Sequence, residues 1–136
     1  MSGMQKVPHK IGKLLGVTIA SLAVTVAMST SASAGSDGPV VVDSSGYKAR
    51  GVFLSYGDHI RVSDDYADGK SAVVLWNDPT GEERRCWDSN GALNGMTDCN
   101  YNLQEGAYVH YEVCLGEYGS RQVHYSTCGE SGWGYA

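Results

Sequence analysis

The sequence predicts an all-β fold, and three observations support that prediction. From residue 40 onwards, short runs of β-branched and aromatic residues alternate with turn sequences. No apolar pattern with a helical period of useful length interrupts them. Four cysteines offer cross-links to a domain whose length allows only a modest core. About seven strands in about 100 residues is typical of a compact two-sheet antiparallel sandwich, immunoglobulin-like in architecture and here cross-linked by two disulfides.

The predicted strands are short segments that end at residues with turn chemistry. They cover residues 40–43, 47–55, 58–63, 72–77, 83–87, 107–115 and 121–127. The turns between them are rich in Gly, Asn, Asp and Ser, and they include residues 44–46, 56–57, 64–69, 78–81, 90–95, 105–106 and 116–119. We therefore expect one domain without an internal repeat or a linker.

Side chains alternate along the predicted strands as they do when one face of a sheet is buried. In the segment 107–115 the two faces carry different residues, Val109, Tyr111 and Val113 against His110, Glu112 and Cys114. We expect four large aromatic residues to belong to the core, namely Phe53, Trp76, Tyr111 and Tyr125.

The first 34 residues have the features of a cleaved secretory signal peptide. Three lysines form a basic leader, residues 14–28 are apolar apart from small polar residues, and Ala32-Ser33-Ala34 is a small-residue cleavage site. A membrane anchor is disfavoured, because a span needs about 20 apolar residues and this stretch is shorter and diluted by polar ones. Residues 1–34 are therefore predicted to be removed, which leaves residues 35–136 as a secreted, extracellular β domain with residues 35–39 mobile.

The charge of the predicted mature domain is clearly acidic. Three of the ten Lys and Arg residues lie in the first 34 positions while all fifteen acids follow, so the net charge from residue 35 onwards is −8. Nucleic acid and anionic membranes are disfavoured as partners, because both require a basic surface. Acidity of this kind also favours solubility, and we expect a monomer.

The four cysteines occur as two local pairs, Cys86 with Cys99 and Cys114 with Cys128. An exported chain of this size uses cysteines mainly as disulfides. Four cysteines allow three connectivities; the sequence alone does not choose, although locality favours the sequential one. Metal binding and thiol catalysis are disfavoured, because Cys-x-x-Cys spacing is absent and no His has zinc-ligand spacing.

The acidic turn at residues 64–69 is the best candidate for a metal site. Asp64, Asp65 and Asp68 could present oxygens to calcium. The turn departs from an EF-hand loop, because residues 70–75 supply no bidentate glutamate. It resembles the start of the βγ-crystallin calcium motif, but Asp68-Gly69 stands where a Ser/Thr-Ser pair is expected. We therefore interpret it as a solvated hairpin turn, and expect no metal and no other cofactor.

The sequence contains no recognised catalytic motif. Neither a Gly-x-Ser-x-Gly elbow nor a His-Glu-x-x-His helix is present. His110 and His124 would be neighbours on a solvated outer face if their strands pair. A glycosidase would need two convergent carboxylates, for which the candidates are Glu105, Glu112 and Glu117. We expect no enzymatic activity, since small sandwiches seldom provide a deep cleft.

Aromatic residues are the clearest indication of a recognition function. All nine tyrosines follow residue 34, together with three tryptophans and one phenylalanine. Tyr and Trp are favoured at recognition surfaces, because they bring a large area at small entropic cost and end in a polar group. Four of them lie in glycine-rich or terminal segments where they are candidates to bind a sugar face or a protein groove, namely Tyr101, Tyr118, Trp133 and Tyr135.

Several motifs between residues 51 and 128 make the chain similar to the small secreted proteins that are abundant in Streptomyces and related actinomycetes. They are Gly57-Asp58 with Ile60-Arg61-Val62, Asp64 with Ala67-Asp68-Gly69 and Ser71-Ala72-Val73, Cys86-Trp87 with Ser89-Asn90-Gly91, Glu105-Gly106 with Tyr111, and Val113-Cys114 with Gly116-Glu117. The resemblance implies export, a compact β domain and local cysteine pairing, and it transfers no catalytic residue. Streptomyces inhibitors of amylases and proteases are similar in size and disulfide count, but neither a Trp-Arg-Tyr amylase-inhibitor turn nor a recognisable protease-binding loop is found.

The sequence therefore predicts an exported, non-catalytic interaction module whose partner is a protein or a carbohydrate. One alternative is an inhibitor of a secreted hydrolase, which should carry an exposed, rigid loop, with residues 87–94 and 116–119 as candidates. The other alternative is a small carboxylate-dependent hydrolase, which needs a cleft with convergent titratable groups.

Overall fold

Nine strands and one short 3-10 helix form the part of the chain that a computed structural model describes, residues 34–136. The strands are β1 (Val41–Val42), β2 (Ala49–Leu54), β3 (His59–Asp64), β4 (Ser71–Asn77), β5 (Glu83–Trp87), β6 (Thr97–Asn100), β7 (Tyr108–Glu117), β8 (Gln122–His124) and β9 (Gly132–Tyr135). The 3-10 helix spans Tyr125–Thr127. The predicted signal peptide lies outside the described residues, except for its last residue, Ala34. Within the described range, no helix has the length and apolar character required to cross a bilayer.

The first sheet contains four antiparallel strands in the order β1-β2-β3-β6. β2 and β3 form a hairpin in which Leu54 pairs with His59. Its turn contains Gly57 at φ 79° and Asp58 at φ 56°, and this left-handed backbone explains why a glycine and an aspartate occur there.

The second sheet is organised around the long strand β7. β4 and β5 lie on one side of it, in the order β5-β4-β7. On its other side β8 pairs with residues 115–117 and β9 pairs with residues 108–111. The far edge of β7 is therefore shared by two short strands at opposite ends.

The main core lies between the two sheets. Phe53, Ile60 and Val62 of the first sheet are fully buried against the second sheet, to which Val74 and Tyr111 belong. Burying each such side chain contributes about 1.5–3 kcal/mol. A second apolar cluster lies on the opposite face of the second sheet, and contains Val73, Leu75, Trp87, Cys114 and Val123.

Both disulfides follow the local pairing, as expected. The Cys86–Cys99 bridge joins β5 to β6 and so connects the two sheets. The Cys114–Cys128 bridge joins β7 to the segment after the 3-10 helix. No free cysteine occurs among residues 34–136. Two disulfides indicate an oxidising, extracellular setting.

The two-sheet antiparallel sandwich is confirmed, with nine strands rather than seven. β5 has the predicted bounds, and five of the other strands differ from their predictions by at most two residues at either end. β6 and β9 were not predicted, because Thr97–Asn100 has Cys99 as its only apolar residue and Gly132–Tyr135 is half glycine. The turn predicted at residues 116–119 is wrong in its first half, since β7 continues to Glu117. The single strand predicted at 121–127 is instead β8 followed by the 3-10 helix.

Two smaller expectations can be compared with the structure. In the segment 35–39, expected to be mobile, Ser36 forms a β-bridge with Tyr135, and the Gly38 N–H donates to the Phe53 carbonyl. Tyr125, expected in the core, is 56% exposed, because the chain leaves the sheet at the 3-10 helix.

Candidate functional site

Four aromatic rings gather on the outer face of the second sheet. Tyr108 and His110 are alternate residues of β7, and Trp133 and Tyr135 are alternate residues of β9. Tyr108 pairs with Tyr135 and His110 pairs with Trp133 across the two strands. We call these four residues the outer-face array.

The rings of the outer-face array are in mutual contact range and open to solvent. The centroid of Tyr108 lies 5.6 Å from Tyr135, 6.4 Å from Trp133 and 6.5 Å from His110. Trp133 and Tyr135 are 6.1 Å apart. The exposed fractions are 48% for Tyr108, 54% for Trp133 and 41% for Tyr135, while His110 is half-buried. This exposure is unusual for neighbouring large aromatics, which are normally dispersed or buried.

The alternation of glycine and aromatic residues in β9 produces the array. Gly132 and Gly134 face inward, where a Cβ on Gly134 would lie 2.8 Å from Cδ1 of Phe53 and one on Gly132 would lie 3.0 Å from Cζ of Tyr111. The strand can lie this close to the core only because these positions lack side chains. Its outward positions then project Trp133 and Tyr135 to solvent.

Two pockets adjoin the array, and both include polar residues in their lining. The larger, of about 520 Å³, is lined by Asn77, Asp78, Pro79, Gly81, Tyr108 and His110. The smaller, of about 150 Å³, is lined by Leu75, Trp76, Asn77, Glu83, His110 and Glu112. Asn77 and His110 line both pockets, so aromatic surface and hydrogen-bonding groups are adjacent there.

The loop between β4 and β5 forms one wall of the larger pocket, and Asp78 organises it. The Asp78 carboxylate accepts hydrogen bonds from the Thr80 hydroxyl at 2.5 Å, the Thr80 N–H at 2.9 Å and the Glu82 N–H at 3.0 Å. Nε of Arg84 lies 3.0 Å from its other oxygen. The hydrogen bond from the Thr80 hydroxyl is the main cause that lowers the pKa of Asp78 to about 2.

Tyr101, one of the predicted recognition residues, lies on the other side of this loop. It is half-buried and contacts Trp76 at a centroid distance of 4.6 Å. Both residues line a pocket of about 360 Å³ together with Arg84 and Leu103. The indole Nε1 of Trp76 is buried there without a hydrogen-bond partner among the described residues. Tyr101 therefore belongs to a separate pocket.

Tyr118 also lies apart from the array, at the opposite end of β7. Its ring contacts Trp87 at 6.1 Å, and the Arg121 guanidinium stands 4.0 Å above it. Of the four predicted recognition residues, the structure thus brings together Trp133 and Tyr135. It adds Tyr108 and His110, which were not predicted as recognition residues. Aromatic side chains occur at every second position in both 108–110 and 133–135, and this alternation could have predicted that they share the outward face of their strands.

The carboxylates of the acidic turn each have a separate partner. Asp64 is buried and accepts a hydrogen bond from the Tyr66 N–H. Asp65 pairs with Arg50 at 2.9 Å, and Asp68 pairs with Lys48 at 3.1 Å. The turn is therefore held by internal hydrogen bonds and ion pairs.

The side chains considered for catalysis are dispersed. His110 pairs with Trp133 and His124 pairs with Leu115, so the expectation that these histidines are neighbours is wrong. The face of β7 that carries His110 was expected to be solvated. This expectation is only partly correct, because Cys114 on the same face is fully buried. Glu112 and Glu117 point to opposite faces of β7, since they are five positions apart and side chains alternate along a strand.

One group of three possible metal ligands is found among residues 34–136. The ligand atoms of Glu112, Cys114 and Cys128 lie within 4.8 Å of one another. Because the two sulfurs are bonded to each other, neither can serve as a thiolate ligand.

No protein-family model, no curated protein sequence and no solved structure matches this chain.

Proposed function

We propose that this chain is an exported, non-catalytic interaction module whose recognition surface is the outer-face array. The observation that supports this most strongly is the convergence of three exposed aromatic side chains, Tyr108, Trp133 and Tyr135, on one sheet face. Side chains of this kind dominate binding energy at recognition sites, because they bury a large area and lose few rotamers. The partner is a carbohydrate or a protein outside the cell.

The sequence and the disulfides support the extracellular part of the proposal. The first 34 residues have the basic, apolar and small-residue regions of a signal peptide. Both bridges require an oxidising compartment to form and persist.

A retention experiment tests the proposal. The protein is immobilised, exposed to cell-wall fractions and culture supernatant, and the retained material is identified and quantified. We expect Tyr108→Ala and Trp133→Ala each to weaken retention at least tenfold, because truncating a central aromatic costs about 2 kcal/mol or more. Tyr56→Ala is the matched control: this tyrosine is 94% exposed in the turn between β2 and β3. If all variants retain equal amounts of this material, the assignment of the recognition surface to the outer-face array is refuted.

Inhibition of a secreted hydrolase is the second candidate function, and it rests on a different feature. The loop between β5 and β6 projects Leu93, which is 71% exposed at φ 64°. The Cys86–Cys99 bridge closes this loop, and the Leu93 N–H donates to the Asp64 carbonyl at 2.8 Å. The Asn90 amide donates to the Asn94 carbonyl at 3.1 Å. A rigid loop with an exposed apolar side chain is what inhibition by loop insertion requires.

Enzyme assays distinguish this second function. The protein is titrated against a panel of secreted amylases and serine proteases, with Leu93→Asp and Tyr56→Ala compared in parallel. If the wild type inhibits an enzyme stoichiometrically and Leu93→Asp does not, the inhibitory site is the β5–β6 loop and not the outer-face array. Absence of inhibition across the panel would count against this function.

A further inference from the structure

The outer-face array and the adjoining pockets share residues, and their combined chemistry selects a class of ligand. Tyr108 and His110 belong both to the array and to the lining of the larger pocket. His110 also lines the smaller pocket together with Glu112. Aromatic faces and hydrogen-bonding groups therefore follow one another along a single strand.

The length of this surface suits an extended ligand. Tyr108, His110 and Glu112 are alternate residues on the same face of β7. Four steps along a strand span about 13 Å at a rise of about 3.3 Å per residue. That distance exceeds the width of one sugar ring, so consecutive rings of a polymer can contact the aromatic and polar parts in turn.

A sugar ring needs both kinds of group at once. Its C–H face is apolar and slightly positive, which complements the electron-rich faces of Tyr and Trp. Its edge carries hydroxyl groups, which donate well to carboxylates and pair with amides. Asn77, Glu83 and Glu112, which carry such groups, line the smaller pocket beside His110.

The charge of the surface restricts the ligand further. Asp78 lines the larger pocket, and Glu83 and Glu112 line the smaller one. Arg84 pairs with Asp78 and Arg85 with Glu83, so the negative field here comes from Glu112 and from the net charge of −8 that the chain carries from residue 35 onwards. A polyanion such as an acidic polysaccharide would be repelled. A neutral polysaccharide would not.

We propose that the outer-face array binds a neutral, extended polysaccharide. Its sugar rings stack on Tyr108 and Trp133, and its hydroxyl groups hydrogen-bond to Asn77 and Glu112. This inference rests on the proposed function, because it names the ligand class of the same surface.

Depletion by insoluble polysaccharide is the first test. Purified protein is mixed with cellulose or chitin, and the fraction left in the supernatant gives the affinity. We expect binding to at least one of them, weakened tenfold or more by Tyr108→Ala or Trp133→Ala and unchanged by Tyr56→Ala. Soluble neutral oligosaccharide should compete, and carboxymethyl cellulose should compete at least tenfold less well on a mass basis. Circular dichroism of each variant establishes that it is folded.

Tryptophan fluorescence is the second test, and it places the ligand at the array. Cellohexaose or chitohexaose should change the emission of the wild-type protein. Trp133→Phe keeps an aromatic face, so it should still be depleted by the polymer while losing most of this spectral change. A change that persists in Trp133→Phe would place the ligand elsewhere and overturn the inference.

The two proposals fail in distinguishable ways. If neither polymer depletes the wild-type protein, while Tyr108→Ala still weakens retention of a protein from the culture, the polysaccharide inference is overturned and the interaction module survives. If the array variants behave like the wild type both with the polymers and with cell-wall and culture material, both proposals are overturned.

Discussion

The carboxylate of Asp78 determines how ordered the loop beside the candidate site is. One oxygen accepts hydrogen bonds from Thr80 and from the Glu82 N–H, and the other pairs with Arg84. A charged acceptor strengthens each of these bonds. The wall of the larger pocket is therefore coupled to the ionisation of a single residue.

Titration of Asp78 gives the first prediction. Its pKa in the folded protein is lowered from 3.8 to about 2, mainly by the Thr80 hydroxyl. The stabilisation of the loop is thus present above the unfolded-state value and is lost as the pH falls through about 2. NMR titration of the Asp78 carboxyl carbon should show this midpoint, and Thr80→Val should move it upward. A midpoint near 3.8 in the wild type would contradict the prediction.

The pKa of Asp64 is shifted in the opposite direction, and this shift gives the second prediction. Burial is the main cause that raises its pKa above 3.8, with Asp88 as a further like-charged neighbour. Stability is therefore lost as the pH rises through the folded-state pKa of this carboxyl. Asp64→Asn should raise the melting temperature at pH 7 and give no advantage at a pH below 3.8.

The acidic turn supplies the control for that measurement. Asp65→Asn removes an ion pair with Arg50 and should give no gain at neutral pH. A lower melting temperature for Asp64→Asn at pH 7 would show that the ionised carboxylate is needed there. Millimolar calcium should leave the wild-type melting temperature unchanged, because a ligand stabilises only the state that binds it.

At the scale of the element, β9 connects the packing of the core to the proposed recognition surface. Gly134 lies so close to the core that a Cβ would stand 2.6 Å from the Ser36 carbonyl oxygen and 2.8 Å from Phe53. Gly134→Val should therefore displace the strand, lower the stability by about 1–3 kcal/mol and disturb the environment of Trp133. Urea unfolding followed by tryptophan fluorescence measures both effects.

Gly119 is the matched control for this variant. A Cβ at Gly119 would meet nothing within 4 Å, and the residue lies in the turn after β7. Gly119→Ala should leave stability and fluorescence nearly unchanged. A Gly134→Val protein as stable as the wild type would contradict the close packing of β9.

The bridge between β5 and β6 gives the fourth prediction. Cys86 and Cys99 are 13 residues apart and belong to different sheets. Replacing both by alanine should cost about 3 kcal/mol, because the unfolded chain regains the entropy of an open loop. Denaturant unfolding should show this loss, and a variant of unchanged stability would contradict it. The outer-face array lies on other strands, so the remaining folded protein should keep its binding.

At the scale of the whole molecule, the proposed export would determine where the protein acts. Protein collected from the culture medium should begin at Gly35 and should weigh four hydrogens less than the reduced chain, one pair for each bridge. Intact-mass spectrometry and N-terminal sequencing measure both. Retention of the first 34 residues, or free thiols in the native protein, would contradict the prediction.

Much of the architecture was predictable because it depends on local pattern. Alternation along β7 correctly places Val109, Tyr111 and Val113 in the core. Turn chemistry correctly separates most strands, and sequence proximity correctly pairs the cysteines. β6 was missed because its pairing with β3 comes from a partner far along the chain and not from its own composition.

The sequence by itself determined the all-β class and the surplus of aromatic residues, because these follow from residue type and from periods of two. It favoured the local cysteine pairs, and the structure established them. Only the tertiary structure decided which aromatics meet. Tyr108 and Trp133 are 25 positions apart in the sequence, and they meet because β9 pairs with one end of β7 while β8 occupies the other end. Pairing at that range depends on the close approach that Gly132 and Gly134 permit, which is a property of packing and not of local pattern.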